Sequence, residues 1–248
     1  MAERTPERAP QRWQPVGNLL IDALPAAQRG QVVGMSRQVL LAAGRVINEA
    51  NQPIEAVYFP LGGLISLVAV TVARAGVNTA SVGREGMVGL PVFLGVQSSP
   101  NVRAVVQVSG PALVLPAEDF AALARTPGSL NDLMRRYTNA LMTQTSQEVA
   151  CNRRHSVLER ASCWLLLAHH RVGRSEFPLT QEVFSELLGT RRASITEAAR
   201  TLQDAGAIQY HRGRVRVADP QTLERFSCEC YRIIRSALDP PGTLPLGD

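Results

Sequence analysis

Two hydrophobic rhythms divide this chain near residue 125. Before that point, short apolar and β-branched runs alternate with Gly, Pro and Asn: Ala56-Val57-Tyr58-Phe59, Leu64 to Val72, Val77 to Val82, Arg103 to Val108 and Ala112 to Leu115. Short strands at this spacing, with corners such as Pro60, Gly62-Gly63, Gly83, Gly86, Gly89 and Gly110, predict a β-sandwich or barrel. One helix is expected ahead of them, over Leu19 to Gln31, with Leu20, Leu24 and Ala27 inward. From Gly128 the period becomes helical. Leu130, Leu133, Tyr137, Leu141, Thr145, Glu148 and Cys151 follow one face for about 22 residues, which is about 33 Å of helix. A stripe of that length outruns any short neighbour, so pairing with its copy in a second subunit is expected. Packing on its own barrel is the alternative. A further helix, His155 to His170, presents Val157, Leu158, Ala161, Trp164, Leu165 and Ala168. The last, Pro220 to Leu238, turns Leu223, Phe226, Cys230 and Ile234 inward.

Between these two helices lies the most specific pattern. Thr180 is an N-cap for a short helix with Val183, Phe184, Leu187 and Leu188 apolar. Gly189 breaks that helix, and Thr190 offers a second N-cap. A second helix, from about Arg191 to Asp204, buries Ile195, Ala198, Ala199 and Leu202 at the i, i+3, i+4, i+7 spacing. Gly206 then stops it. Ile208-Gln209-Tyr210 and Val215-Arg216-Val217 bracket His211-Arg212-Gly213-Arg214, a hairpin with a basic tip. Residues 191–216 hold six arginines against Glu197 and Asp204, a net charge of +4. A helix pair with a tight turn, an arginine-rich second helix and a basic wing is the pattern of a winged helix-turn-helix for duplex DNA. Arg191, Arg192, Ser194, Thr196, Glu197 and Arg200 are the candidate groove-facing residues. Thr180, Arg212 and Arg214 are the candidate phosphate contacts.

Length and composition fit this division. A chain of 248 residues exceeds the usual size of one domain. The expected plan is an arm over 1–15, a sensor domain over 16–127, a dimerisation helix over 128–154, a DNA-binding domain over 155–239 and a tail over 240–248. The arm mixes Glu, Arg, Pro and Gln without an apolar core, so it does not read as a signal peptide. No apolar run reaches the length needed to span a bilayer; a cytoplasmic protein without a membrane partner is expected. The net charge of +5 suits a nucleic-acid partner, and every basic residue is Arg.

The order of β-barrel, long helix and winged helix resembles the Crp/Fnr family of bacterial transcription regulators. The resemblance runs from about Leu19 to Leu238. It is carried most specifically by Leu188-Gly189-Thr190-Arg191-Arg192-Ala193-Ser194-Ile195 and by Val82-Gly83-Arg84-Glu85-Gly86-Met87-Val88-Gly89-Leu90. It implies an α+β protein: a jelly-roll, cyclic-nucleotide-binding-like domain, a long dimerisation helix and a C-terminal winged helix. It also implies a homodimer with one recognition helix per half-site, and RNA polymerase as a further partner. Two departures stand out. Where the family's best-known recognition helix has an Arg-Glu pair and then an Arg four residues on, this chain has Arg192, Ala193 and Glu197, so a different half-site is expected. Where cyclic-nucleotide sensors have a Gly-Glu pair and an Arg-Ser or Arg-Thr pair, this chain has Gly89-Leu90-Pro91 and Arg103-Ala104. The ribose carboxylate and the hydroxyl donor are both missing, so cyclic nucleotide is disfavoured. Arg84, Glu85 and Arg103 remain the candidate effector contacts, with plain surface charges as the alternative.

Other chemistries find little support. All four histidines (155, 169, 170, 211) lie outside the barrel, which removes a metal-dependent barrel enzyme and a haem ligand there. No Gly-x-Ser-x-Gly or phosphate-loop motif occurs, and no enzyme is expected. No cysteine precedes residue 151, against an N-terminal iron–sulfur cluster. On one helix, Cys228 and Cys230 would point about 200° apart, poorly placed to hold one ion together, so no metal is expected and the cysteines read as small apolar residues. A thiol- or metal-responsive switch recruiting Cys151, Cys163 or His169-His170 is the alternative.

Overall fold

The computed structural model describes residues 16–70 and 76–238. The expected arm (1–15), the tail (240–248) and the end of the Leu64 to Val72 run therefore lie outside the described residues. Two short helices open the structure, α1 (Leu19–Asp22) and α2 (Ala26–Met35). They replace the single helix expected there. Pro25 cannot donate the hydrogen bond that continuity requires and becomes the N-cap of α2. Leu20 and Leu24 are buried as expected, but Ala27 is exposed and Val32 is the buried residue of α2.

The barrel consists of β1 (Arg37–Leu41), β2 (Val46–Asn48), β3 (Ala56–Pro60), β4 (Leu64–Val70), β5 (Gly76–Val82), a one-turn α3 (Leu90–Phe93), β6 (Val102–Val108) and β7 (Gly110–Pro116). Its strands form two antiparallel sheets in the orders β1-β7-β3 and β2-β6-β4-β5. Leu41, Ile65, Val82, Val88, Ala104, Val106 and Ala112 fill the space between them. β1 and β2 are the strands the hydrophobic pattern did not mark. Both are edge strands with largely exposed residues, so neither carries a clean alternation.

After α4 (Ala117–Arg125) comes α5 (Ser129–Arg154), a single helix of 26 residues. Its buried side chains are Leu130, Leu133, Met134, Tyr137, Ala140, Gln144 and Cys151. These face the protein's own chain, chiefly β5 and the C-terminal helix. Leu130, Leu133, Tyr137 and Cys151 of the expected stripe thus find partners without a second subunit, because barrel and C-terminal helix together cover the length no single element could. On the opposite side Met142 and Val149 stand 66% and 67% exposed.

The C-terminal domain follows: α6 (Val157–Val172), β8 (Glu176–Pro178), α7 (Gln181–Leu187), α8 (Arg192–Asp204), β9 (Ile208–His211), β10 (Arg214–Val217), α9 (Pro220–Arg225) and α10 (Cys230–Leu238). A capping box between Ser156 and Glu159 starts α6, leaving His155 as the C-cap of α5. Residues 161–168 are all buried, because α8, α9, α10, β10 and β4 pack around α6. Trp164 meets Phe184 of α7 with ring centroids 5.2 Å apart, a tilted contact that fixes α7 on α6. The single helix expected over Pro220 to Leu238 is two helices, and Cys228 lies in the irregular segment between them. Among the described residues no helix is long and apolar enough to cross a membrane.

Candidate nucleic-acid interface

The two helices of the turn are positioned locally. Thr180 Oγ1 accepts from the Val183 N–H at 3.2 Å and caps α7. Gly189 adopts φ +56, a left-handed conformation that L side chains rarely take, and so allows the tight turn. Arg160 of α6 donates to the Leu188 carbonyl, tying the turn to the domain core. The N-cap of α8 is Arg191, without a side-chain cap, and not Thr190, which donates its backbone N–H to the Ser185 carbonyl instead. Ile195, Ala198, Ala199 and Leu202 are buried as the spacing predicts.

That burial leaves Arg191, Arg192, Ala193, Glu197 and Arg200 exposed, with Ser194 and Thr196 half-buried beside them. The Thr196 hydroxyl is already engaged. It lies 2.8 Å from Gln181 Oε1 and 3.0 Å from the Arg192 carbonyl, so its single proton links α8 to α7 or caps its own turn.

The wing is a three-stranded sheet in the order β8-β10-β9. His211 pairs with Arg214, so Arg212 and Gly213 form a two-residue turn with φ +47 and +74. Positive φ at both positions is the requirement of a type I′ hairpin. The wing is fastened to the start of α7: the Leu179 N–H donates to the Gly213 carbonyl at 2.8 Å, and Tyr210 Oη donates to the Leu179 carbonyl at 2.5 Å. Burial pushes the Tyr210 phenol up to about 12. Arg212, Arg214 and Arg216 remain exposed, and Arg214 is paired with Glu176 of β8. Cap and wing tip are thus adjacent, and α8 packs on both α7 and β9, with Thr196 tied to Gln181. Arg160 and Gln181, which shape this arrangement, gave no signal in the sequence because each acts through a partner on another element.

The predicted effector residues are not assembled in this way. Glu85 Oε1 accepts from Arg171 Nε at 2.8 Å and from the Gly83 N–H at 3.0 Å, and Arg171 also donates to Gln144 Oε1 at 3.1 Å. Arg171 is only 4% exposed. A Cβ on Gly83 would lie 2.5 Å from the Arg171 side chain, and one on Gly86 would lie 2.6 Å from Tyr137 Oη. Tyr137 donates to the Met87 carbonyl, and burial raises its pKa above the usual phenol range. The segment Val82 to Leu90 is thus a joint between barrel, α5 and α6. Arg103 lies elsewhere, on β6 opposite Val68. A cavity of about 360 Å³ is lined by Leu67, Met87, Gly89-Leu90-Pro91 and Ala104 of the barrel, among others, together with Leu141 and Thr145 of α5. Glu49 is its charged lining residue; Arg84, Glu85 and Arg103 do not line it.

The cysteines are free and buried. Cys151 Sγ and Cys228 Sγ lie 3.5 Å apart, and either thiol can donate across that contact. Hydrogen bonding among the neighbouring thiols lowers the Cys228 thiol and raises Cys151 and Cys163.

Comparison with known proteins agrees with this geometry. Residues 159–226 match the Crp-like helix-turn-helix domain. The global nitrogen regulator of Nostoc sp. is 24% identical over 183 residues, covering 71% of this chain and 82% of that protein. A solved Crp/Fnr-family protein from Eubacterium rectale superposes with a TM-score of 0.63 at 17% identity, over 84% of this chain and 97% of its own. FixK2 from Bradyrhizobium japonicum superposes with a TM-score of 0.62 at 12% identity, over 78% and 98%. The chain has the Crp/Fnr fold and ends in a Crp-like helix-turn-helix domain. It is a DNA-binding transcription regulator of Crp/Fnr type.

Proposed function

We propose that the protein is a homodimeric, sequence-specific regulator that sets one α8 into the major groove of each half-site and controls the pair through its barrel, with no catalytic step. The exposed arginine face of α8, on a helix packed beside a basic wing, carries this reading. Arg192 reaches base edges, and guanine O6/N7 is its natural partner. Arg191 and Arg200 flank it, Ser194 and Glu197 supply further polar contacts, and Thr196 positions α8 against Gln181. Thr180, Arg212 and Arg214 hold backbone phosphates. The two subunits meet along the outward side of α5, where the apolar Met142 and Val149 lie two turns apart and exposed.

Control enters through the barrel cavity. α5 lines it through Leu141 and Thr145, so a bound molecule changes the seating of the helix that separates the two recognition helices. The lining favours a largely apolar effector. A cyclic nucleotide is the occupant this cavity supports least, because its phosphate would find Glu49 there and no arginine. RNA polymerase is the further partner that regulation at a promoter requires.

Selection of bound sequences from random duplex DNA with the full-length protein tests this reading. The expected product is a two-fold symmetric motif with half-sites about one helical turn apart. Enrichment of an asymmetric motif would overturn it.

A further inference from the structure

We propose that Cys151, His155, Cys228 and Cys230 form a tetrahedral Cys3His site for one divalent cation of the zinc class, joining the end of α5 to α10. The argument begins with where α10 starts. Its first residue is Cys230, and Cys228 stands before it in irregular backbone. The two sulfurs are therefore free of the 200° separation that a shared helix would impose. Cys151 lies in the last turn of α5 and His155 is its C-cap, whose backbone N–H donates to the Cys151 carbonyl at 3.1 Å.

The four ligand atoms lie within 4.8 Å of one another. Cys151 Sγ and Cys228 Sγ are 3.5 Å apart, and Cys230 Sγ and His155 Nδ1 are also 3.5 Å apart. Tetrahedral zinc with Zn–S near 2.3 Å and Zn–N near 2.0 Å requires ligand-to-ligand separations of roughly 3.5–3.8 Å. A single ion fits with small adjustments.

The surroundings support ligation as well as the ligands do. His155 Nε2 lies 3.3 Å from Glu229 Oε2, the carboxylate–imidazole pairing that fixes a metal-bound histidine with its other nitrogen toward the ion. Gln147 Nε2 donates to Cys230 Sγ at 3.3 Å, a contact that favours thiolate. The three cysteines are at most 5% exposed, while Glu229 is 68% exposed and opens the way in. Buried cysteines acting only as small apolar groups have no reason to aim three sulfurs and an imidazole nitrogen at one point. Three thiolates, a neutral imidazole and the divalent ion leave a net charge of −1, and any ligand thiol still protonated releases its proton on binding.

The test uses the full-length protein, reduced and stripped of metal, titrated with Co(II). One equivalent should bind with a thiolate-to-cobalt charge-transfer band and the strong visible bands of tetrahedral cobalt, and Zn(II) should displace it. Cys228→Ser and Cys230→Ser should lose the charge-transfer intensity, and Glu229→Gln should weaken binding about 10-fold. Cys163→Ser should keep one equivalent of tetrahedral cobalt, because Cys163 is a neighbour of Cys228 and not one of the four ligands. The wild-type titration decides the matter even where a serine variant fails to fold. No charge-transfer band, an unchanged spectrum in Cys228→Ser, an iron–sulfur chromophore in anaerobically purified protein, or a Cys151–Cys228 disulfide with no metal uptake after reduction would each overturn the proposal.

Discussion

The arginines of α8 and Arg171 of α6 belong to the same domain and do opposite things. Arg191, Arg192 and Arg200 stand in solvent on a helix whose other face is fully packed, available to a polyanion. Arg171 is buried between Glu85 and Gln144, the first from a barrel corner and the second from α5. One set offers charge to a partner; the other spends its charge inside the molecule. The same residue type therefore reads as a recognition element or as a domain clamp, according to what the rest of its helix buries.

The largest effect should come from breaking the clamp. Arg171→Ala leaves the part-buried Glu85 without its cation, and breaking a pair whose arginine is buried typically costs up to about 3–5 kcal/mol. Urea denaturation should show the midpoint falling accordingly, whereas Arg200→Ala should leave it nearly unmoved. Equal midpoints for the two variants would erase the distinction drawn between them.

The distinction sharpens on DNA. Arg192→Ala should weaken a selected site by about 1–3 kcal/mol and relax preference at one base pair, with random DNA hardly affected. Arg214→Ala should weaken all sequences alike and flatten the dependence of affinity on salt. Arg214 is already paired with Glu176, so its loss should be the milder of the two. Competition binding at several salt concentrations separates them. Parallel losses on specific and random DNA for Arg192→Ala would remove α8 from the groove.

These two regions also differ in how far the sequence reveals them. The recognition surface was legible because its logic is local: a cap at Thr180, a glycine at Gly189 and apolar positions from Ile195 to Leu202 decide which arginines face out. The barrel strands with clean alternation were equally plain, while the edge strands β1 and β2 were not. The joint was illegible, since Glu85 and Arg171 are 86 residues apart and no periodicity couples them. Cys151 and Cys228, 77 residues apart, were hidden for the same reason and by the helix break before Cys230. Charge on a barrel corner looked like an effector contact because only the fold supplies its partner.

A pH effect should come from the packed side of α6. The His170 ring lies 2.7 Å from Tyr231 Oη, and burial first, then Arg235, His169 and Arg171, lower its pKa from 6.5 to about 4. The unfolded chain then binds more protons between these values. Its contribution is fully present above about pH 6.5 and is lost as pH falls toward 4. Allowing for partial solvent screening, the loss is about 1–2 kcal/mol. Denaturation midpoints at pH 7 and 4.5 should differ less for His170→Gln than for wild type. An identical difference would assign the pH dependence to other groups.

The smallest effect sits at the wing tip, where stability and binding should part. Arg212 holds φ +47 in the turn, a left-handed position that glycine or asparagine fills with less strain. Arg212→Asn should raise stability by about 0.5 kcal/mol while removing one cation from the proposed phosphate-facing surface. Thermal melting should therefore move up slightly, and affinity for all DNA should fall together, with a smaller salt slope. A residue kept in strained backbone at an exposed tip is then explained by what it touches outside the molecule. Should Arg212→Asn gain stability with no loss on DNA, the wing tip is a turn and nothing more, and the basic surface shrinks to α8 and the strands behind it.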